Sequence, residues 1–250
     1  MSFTIPFPAN YGGIIDVFYK IKSFKKAGVQ VILHCYQYNR NEAAELQQYC
    51  QEVHYYKRNM NPALLISAKP FIVASRQNSK LIHRLAQDQY PILLEGIHCC
   101  ALMESPALKG RKFLIRNHNI EHHYYRHLAA GEKNLLKKWF FQIESRKLAR
   151  YEKKIFPRAH QILGISKKDT HYLKQHYKKS THVSAFHQFE SLKFPNSSGK
   201  FAFYHGNLAI SENNLAALFL VEKVFSQTNY PLIIGGNAPS KELVASCKKN

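Results

Sequence analysis

The densest run of groups able to do chemistry is Arg111 to His127, RKFLIRNHNIEHHYYRH. Asn117, His118, Asn119, Glu121, His122, His123, Tyr124 and Tyr125 offer imidazoles, amides, phenols and a carboxylate side by side. Such a set can move protons or hydrogen-bond the hydroxyls of a polar ligand. The apolar run Lys112 to Arg116 ahead of it has strand length, and a strand ending in a polar cluster is where open α/β sheets place ligands. His118-Asn119-Ile120-Glu121-His122 also fits H-x-x-E-H, the inverted zinc-protease pattern. Zinc would need both histidines on one helical face, a further ligand and an open coordination position. Here the first histidine ends a strand, so a zinc hydrolase ranks lowest and no metal is expected.

The elements that must position this stretch alternate along the chain. Ser2 to Ile5 is a very short strand that looks clipped. Asn10-Tyr11-Gly12-Gly13 then opens a helix with Ile14, Val17, Phe18, Ile21 and Phe24 at helical spacing, closed by Gly28. Val29 to Cys35 is a near-continuous apolar strand, as buried parallel strands are. Helices are predicted over 42–51 and 75–89, and strands over 53–56 and 91–94. Beyond the polar cluster a long helix is predicted over 132–156, with an inward stripe of Leu136, Trp139, Phe140, Ile143, Leu148, Tyr151 and Ile155. Gln161 to Ile165 is a strand, Ser166 caps the next helix, and Val183 to Phe186 is a further strand. Residues 190–200, ESLKFPNSSGK, have linker composition. A second unit of the same kind follows: strand 201–205, turn Gly206-Asn207-Leu208, a helix capped by Ser211 and running through Val224, strand 231–234 ending Gly235-Gly236-Asn237, and a helix from Ser240. The alternation predicts α/β architecture with parallel sheets.

Composition bounds the partners. The chain has 250 residues, 45% apolar, with 36 Lys and Arg against 16 Asp and Glu, a formal charge of +20. That excess attracts anions: lipid headgroups, nucleic acid or phosphorylated substrates. Cys35, Cys50, Cys99, Cys100 and Cys247 form no CxxC pair, which predicts a reduced, cytoplasmic setting. No apolar run approaches a membrane span, so any membrane contact is expected to be peripheral.

Two βαβ beginnings and a linker predict two Rossmann-like domains. With them in view the chain resembles glycosyltransferases of the GT-B fold, family 4 (group 1) type. The resemblance rests on PFPANYGGIIDVFYKIKSFKKAGVQVILHCY, IRNHNIEHHYY, GISKKD, YHGNLAISENN and LIIGGN, in that order across most of the sequence. It implies a near-complete N-terminal, acceptor-side domain over 1–188, a linker over 189–199 and a C-terminal, nucleotide-sugar-binding domain begun over 200–250. The implied activity is transfer of a sugar from a nucleotide-sugar donor to a glycan or lipid-linked acceptor in cell-surface polysaccharide or glycolipid synthesis. The donor is a substrate, and no cofactor is implied. His118 matches the family's histidine near the transferred sugar and is expected to face the ligand, so that its loss would cut turnover and spare stability. Asn10, Tyr11, Gly12, Gly13 and Glu121 are implied on the acceptor side, and Gly206, Asn207 and Gly235 on the donor side. Glycines at a strand-to-helix turn let backbone approach a sugar or anion closely, and the helix dipole favours negative charge there.

Two departures stand out. Relatives place a basic pair soon after the Gly206 equivalent, but Ser211, Glu212, Asn213 and Asn214 occupy that region here, with no Lys or Arg before Lys223. The family's paired-glutamate donor segment lies past Asn250, so a truncated chain without sugar transfer of its own is expected. The rival reading is a non-catalytic anion- or nucleic-acid-binding remnant of the fold; no RNA-recognition signature supports specific nucleic-acid binding.

The basic faces around Lys133 to Lys154 and Lys167 to Lys179 predict association with anionic bilayers, consistent with placement at the inner face of the membrane. The gain is about 1 kcal/mol per basic residue near the surface, screened by salt. Sedimentation with anionic vesicles should therefore exceed that with neutral ones and should fade at high salt.

Overall fold

The computed structural model describes residues 1–189, 191 and 199–249; most of the expected linker lies outside them. The chain is α/β with parallel sheets, consistent with a Rossmann-like fold. Its contacts group it into two compact units: Met1–His127 with Trp139–Phe189, and Leu128–Lys138 with residues 190–250.

In the first unit β1 (Ile32–Gln37) pairs with β2 (Glu52–Lys57), and β3 (Ile92–Glu95), β4 (Phe113–Asn117), β5 (Gln161–Gly164) and β6 (Ser180–His182) form a parallel run in that order. The N-terminal residues join the two. Ser2 bridges Cys35 in parallel. The Ser2 amide donates to His34 O at 2.8 Å, and the Glu95 amide donates to Met1 O at 2.9 Å. The resulting order is β2, β1, the Met1–Phe3 segment, β3, β4, β5, β6. The first strand is thus as short as the sequence suggests, yet it occupies the middle of the sheet.

α1 (Gly12–Lys26) forms because Ile14, Val17, Phe18 and Ile21 recur on one face, and all four are buried. It stops where Gly28 takes φ +73°, a left-handed conformation open to glycine. Further along, a short α2 (Phe71–Ala74) lies ahead of the helix expected over 75–89, which narrows to α3 (Ser79–Leu85) because Asn78 caps its start by accepting from the Leu81 amide. The segment 42–51 makes only a 3-10 turn, Ala44–Gln48. The last strand is β6, a few residues before the expected 183–186. The Ser166 cap holds: its hydroxyl accepts from the Asp169 amide at 2.9 Å, opening α6 (Lys167–His176).

A separate helix, α4 (Glu121–Gly131), runs through the polar cluster, and the helix expected over 132–156 follows it as α5 (Leu135–Ile155). Its stripe is buried only in part. Leu148, Tyr151 and Ile155 are core, whereas Leu136 and Trp139 are 82% and 68% exposed. Periodicity marked a face, and packing covered its C-terminal half alone. Among the described residues no helix is long and apolar enough to cross a membrane.

The second unit has β7 (Ala202–His205) parallel to β8 (Leu232–Gly235), with α7 (Ser211–Phe219) and α8 (Lys241–Lys249). Its core is small: Leu208, Ala217, Leu218, Val221 and Leu243. Ser211 is not the cap of α7. Ile210 takes that place without a side-chain bond, and past Phe219 the helix widens into a π-helical turn, Leu220–Val224. Gly236 is needed for packing, because a Cβ there would lie 2.1 Å from Gly206 O. We expect Gly236→Ala to force the strand ends apart at a cost of about 1–3 kcal/mol. Amide exchange should quicken in β7 and β8 while β3 and β4 keep their protection.

Candidate functional site

His118 directly follows β4, at the carboxyl edge of the sheet, and the N-terminus of α1 lies against it: a Cβ on Gly13 would stand 4.0 Å from His118 Nδ1 and 3.3 Å from the Phe3 ring. Gly13 is therefore brought to the histidine, whereas a Cβ on Gly12 would meet nothing within 4 Å. What anchors the histidine was not among the residues singled out. His118 Nε2 meets Glu95 Oε2 at 2.9 Å, at the end of β3. The Lys20 ammonium lies 2.7 Å from Glu95 Oε1 and 3.1 Å from Asp16 Oδ2. Arg116 grips Asp16 through Nη2 at 2.7 Å and Nε at 3.1 Å. The Phe186 amide also donates to Asp16. Asp16, Lys20, Glu95 and Arg116 are all buried.

Electrostatics set the protonation of this chain of groups. Burial raises the Glu95 carboxyl, but the Lys20 charge and then the His118 contact outweigh it and hold the group at about 2. For Asp16, too, burial acts upward, and Arg116 and Lys20 overcome it and bring the carboxyl well below its ordinary range. Glu95 is thus an ionised acceptor, so His118 Nε2 must carry a hydrogen. Nδ1 is buried and has no hydrogen-bond partner. It is the nitrogen that faces the helix N-terminus, and it is the group left for a ligand. Oxygens and nitrogen of Asp16, Glu95 and His118 converge closely enough to suggest cation ligation. A cation already sits among them: the Lys20 ammonium.

The H-x-x-E-H residues do not converge. His122 Nδ1 lies 3.1 Å from Glu152 Oε2, and Tyr177 donates to the other oxygen of Glu152 at 3.1 Å. These bonds hold α4 to α5 and α6. Glu121 is buried rather than placed on an open acceptor surface. Burial raises its carboxyl to about 7, the Asn119 side chain pulling the other way.

Beside Phe3, a cleft of about 880 Å³ opens at the same edge of the sheet. Its wall is made by residues that follow successive strands: Tyr38 to Glu42 after β1, Arg58 after β2 and His98 after β3, with Asn10, Tyr11 and Arg76. Asn10 and Tyr11 belong to the predicted acceptor set; Glu121 and His118 do not line the cleft. The Phe3 ring connects the two places, 5.2 Å from the His98 ring and 5.6 Å from that of His118. Sequence reasoning missed the arginines and Asp16–Lys20. The available signal was a charged i, i+4 pair on the apolar face of α1, and strand-terminal position for the rest.

In the second unit the Gly206 amide donates to Gly235 O at 3.1 Å. Asn207 turns inward on its own loop, accepting from the Ala209 amide at 3.2 Å. These three residues lie together at the carboxyl ends of β7 and β8.

The chain matches no family model. It is similar to an "Uncharacterized 44.6 kDa protein in cps region" of Klebsiella pneumoniae, 25% identical over 257 residues. The match covers 100% of this chain and 64% of that protein, so the chain spans less than two thirds of its relative's length.

The opposite shifts make a pH test. Glu95 and Asp16 titrate below their ordinary values, so their stabilisation is complete above about pH 4.5 and is lost as pH falls toward 2. Glu121 titrates above its ordinary value, so the folded chain retains a proton the unfolded chain releases, and stability declines as pH rises from about 4.5 to about 7. Glu121→Gln should leave stability near its wild-type value at pH 4.5 and raise it above pH 7, by up to about 3 kcal/mol. Glu95→Gln should lower it throughout the neutral range. Denaturant melts across pH 3 to 9 check both signs.

Proposed function

We propose that the protein is a glycosyltransferase of the GT-B kind, moving a sugar from a nucleotide-sugar to a glycan or lipid-linked acceptor during capsule or other cell-surface polysaccharide synthesis. The observation that carries this reading is the meeting, at one sheet edge, of a glycine-opened helix N-terminus with an imidazole fixed by a buried carboxylate. The adjoining cleft has the volume and the mixed aromatic and polar wall of a small-ligand site. The relative from a cps region adds support, cps denoting capsule. The sequence resemblance supplies the reaction class.

In this reading Glu95 fixes the ring and tautomer of His118, leaving Nδ1 to hydrogen-bond a hydroxyl of the sugar in transfer. Such a bond speeds reaction to the extent that it strengthens in the transition state. The helix N-terminus at Gly12 and Gly13 favours electron-rich oxygen beside it. Asn10 and Tyr11 touch the acceptor. Gly206, Asn207 and Gly235 face the donor with backbone groups, since the loop lacks basic side chains. The protein works beside an anionic membrane surface, held there by its positive charge.

The test is turnover of the full-length gene product with a panel of nucleotide-sugars. His118→Ala should lower the rate per folded molecule about a hundredfold. It should also lower the melting temperature, because His118 is a member of a buried ion network and not a solvent-facing side chain. His123→Ala, at a half-buried position, should spare turnover. Wild-type turnover per folded molecule in His118→Ala would sink the assignment. Salt-sensitive binding of RNA with no binding of nucleotide-sugars would favour a non-catalytic remnant.

A further inference from the structure

Arg58 and Arg76 form the least compensated charge in the first unit. Arg76 is buried, 5% exposed, and spends Nε on Phe3 O at 2.9 Å and Nη1 on Ile72 O at 2.7 Å. Arg58 spends Nε on Ser75 Oγ at 2.9 Å and stacks its guanidinium on the Tyr38 ring at 4.6 Å and the Phe71 ring at 5.4 Å. Among the described residues no carboxylate forms an ion pair with either arginine. The two charges feel each other: burial first, and then Arg58, brings Arg76 down to about 10. Glu121, a carboxyl whose field reaches Arg76, is itself held at about 7 by burial and offers only a partial counter-charge. Glu42 and Glu45 border the cleft but are exposed and pair with neither arginine.

Contrast this with Arg116, Lys20 and Arg111, each of which is buried against a carboxylate. A buried cation without a carboxylate partner is costly, and a wall that holds buried Arg76 with half-buried Arg58 beside it is completed by an anion from outside. Both guanidiniums line the cleft. A third, Arg40, also lines it, stacked on Tyr11 at 5.6 Å and bonded to Asn10 Oδ1 at 3.0 Å. Planar forks of this kind match carboxylate or phosphate oxygens. Phe3, Phe7, Tyr11 and Tyr38 add flat apolar faces suited to the C–H side of a sugar ring.

We propose that this cleft binds an acidic sugar, with Arg58 and Arg76 taking its carboxylate or phosphate and the aromatic side chains taking its ring. The assignment deepens the transfer reading by naming the acceptor as anionic. It rests on that reading for the role of acceptor and not for the binding itself.

Calorimetric titration at low salt tests it, with glucuronic acid, glucose 1-phosphate, inorganic phosphate and glucose as probes. Saturable binding of glucuronic acid or glucose 1-phosphate is expected, with glucose at least about tenfold weaker. Preference for glucuronic acid identifies a carboxylate-bearing sugar, and preference for glucose 1-phosphate a phosphorylated one. Arg58→Gln should weaken binding about tenfold or more by removing a charge-assisted donor. If that variant melts early, Arg58→Lys keeps the charge without the fork and should still bind less well. A Lys167→Gln, Lys168→Gln variant, altered on an exposed face, should bind as wild type. Absence of saturable binding by all three anions, undiminished binding in both Arg58 variants, or an equal loss in the lysine variant overturns the proposal. Anion binding without any sugar transfer would sink the transfer reading alone, and transfer to neutral acceptors without anion binding would sink this site alone.

Discussion

A lysine ammonium buried between two carboxylates is a demanding arrangement, and the first unit is built around one. Lys20 cannot leave Asp16 and Glu95 without stranding charges in the interior, and a stranded partner of a buried pair typically costs about 3–5 kcal/mol. Because Asp16 and Lys20 sit one turn apart on α1, while Glu95 ends β3 and Arg116 lies in β4, satisfying these groups fixes the helix against two strand ends at once. The Arg116 guanidinium extends the constraint to the segment past β6, donating to Val183 O and Ser184 O. The two cations and two carboxylates cancel, which is what makes the burial tolerable. The aliphatic packing around them supplies the stability, and the ions specify which helix end meets which strand ends.

Much of this architecture was legible in the sequence because it depends on local patterning. Apolar runs of strand length, the Ile14–Val17–Phe18–Ile21 stripe, the Gly28 stop and the Ser166 cap are written in short stretches, and each appears where the pattern puts it. The failures are equally local in cause. Residues 42–51 had a helical composition but lacked a face to bury, and only Leu46 of their 3-10 turn is buried. The stripe from Leu136 to Ile155 had the right period, yet periodicity does not say whether a partner exists for its whole length. Strand ends carried His118 to its place, whereas its orientation toward Glu95 depended on a residue 23 positions away in sequence. Arg58 and Arg76 were invisible for the same reason: only folding places them side by side.

The two groups of buried charge obey one rule and differ in outcome. In the network around Lys20 every cation has its anion, and the carboxylates ionise readily despite burial. Around Arg76 a buried carboxyl within electrostatic reach is Glu121, which burial keeps near half protonation at neutral pH. Burial of Glu121 next to a cation that it does not neutralise would be hard to explain as packing alone. It follows if the counter-charge of that region is a ligand, since a second fixed carboxylate in ion-pair contact with the arginines would repel the anion they face.

His118 belongs to the network around Lys20, and this limits what it can do. Its Nε2 hydrogen is committed to an ionised Glu95, so any ligand must address Nδ1. That nitrogen is enclosed, with Gly13 and the Phe3 ring in front of it. A side chain at position 13 would press on Phe3 and crowd the approach to Nδ1. The glycine at the helix start and the histidine at the strand tip therefore act as one device: the first is small so that the second can be reached, and the carboxylate behind holds the ring in the one orientation in which reaching it matters.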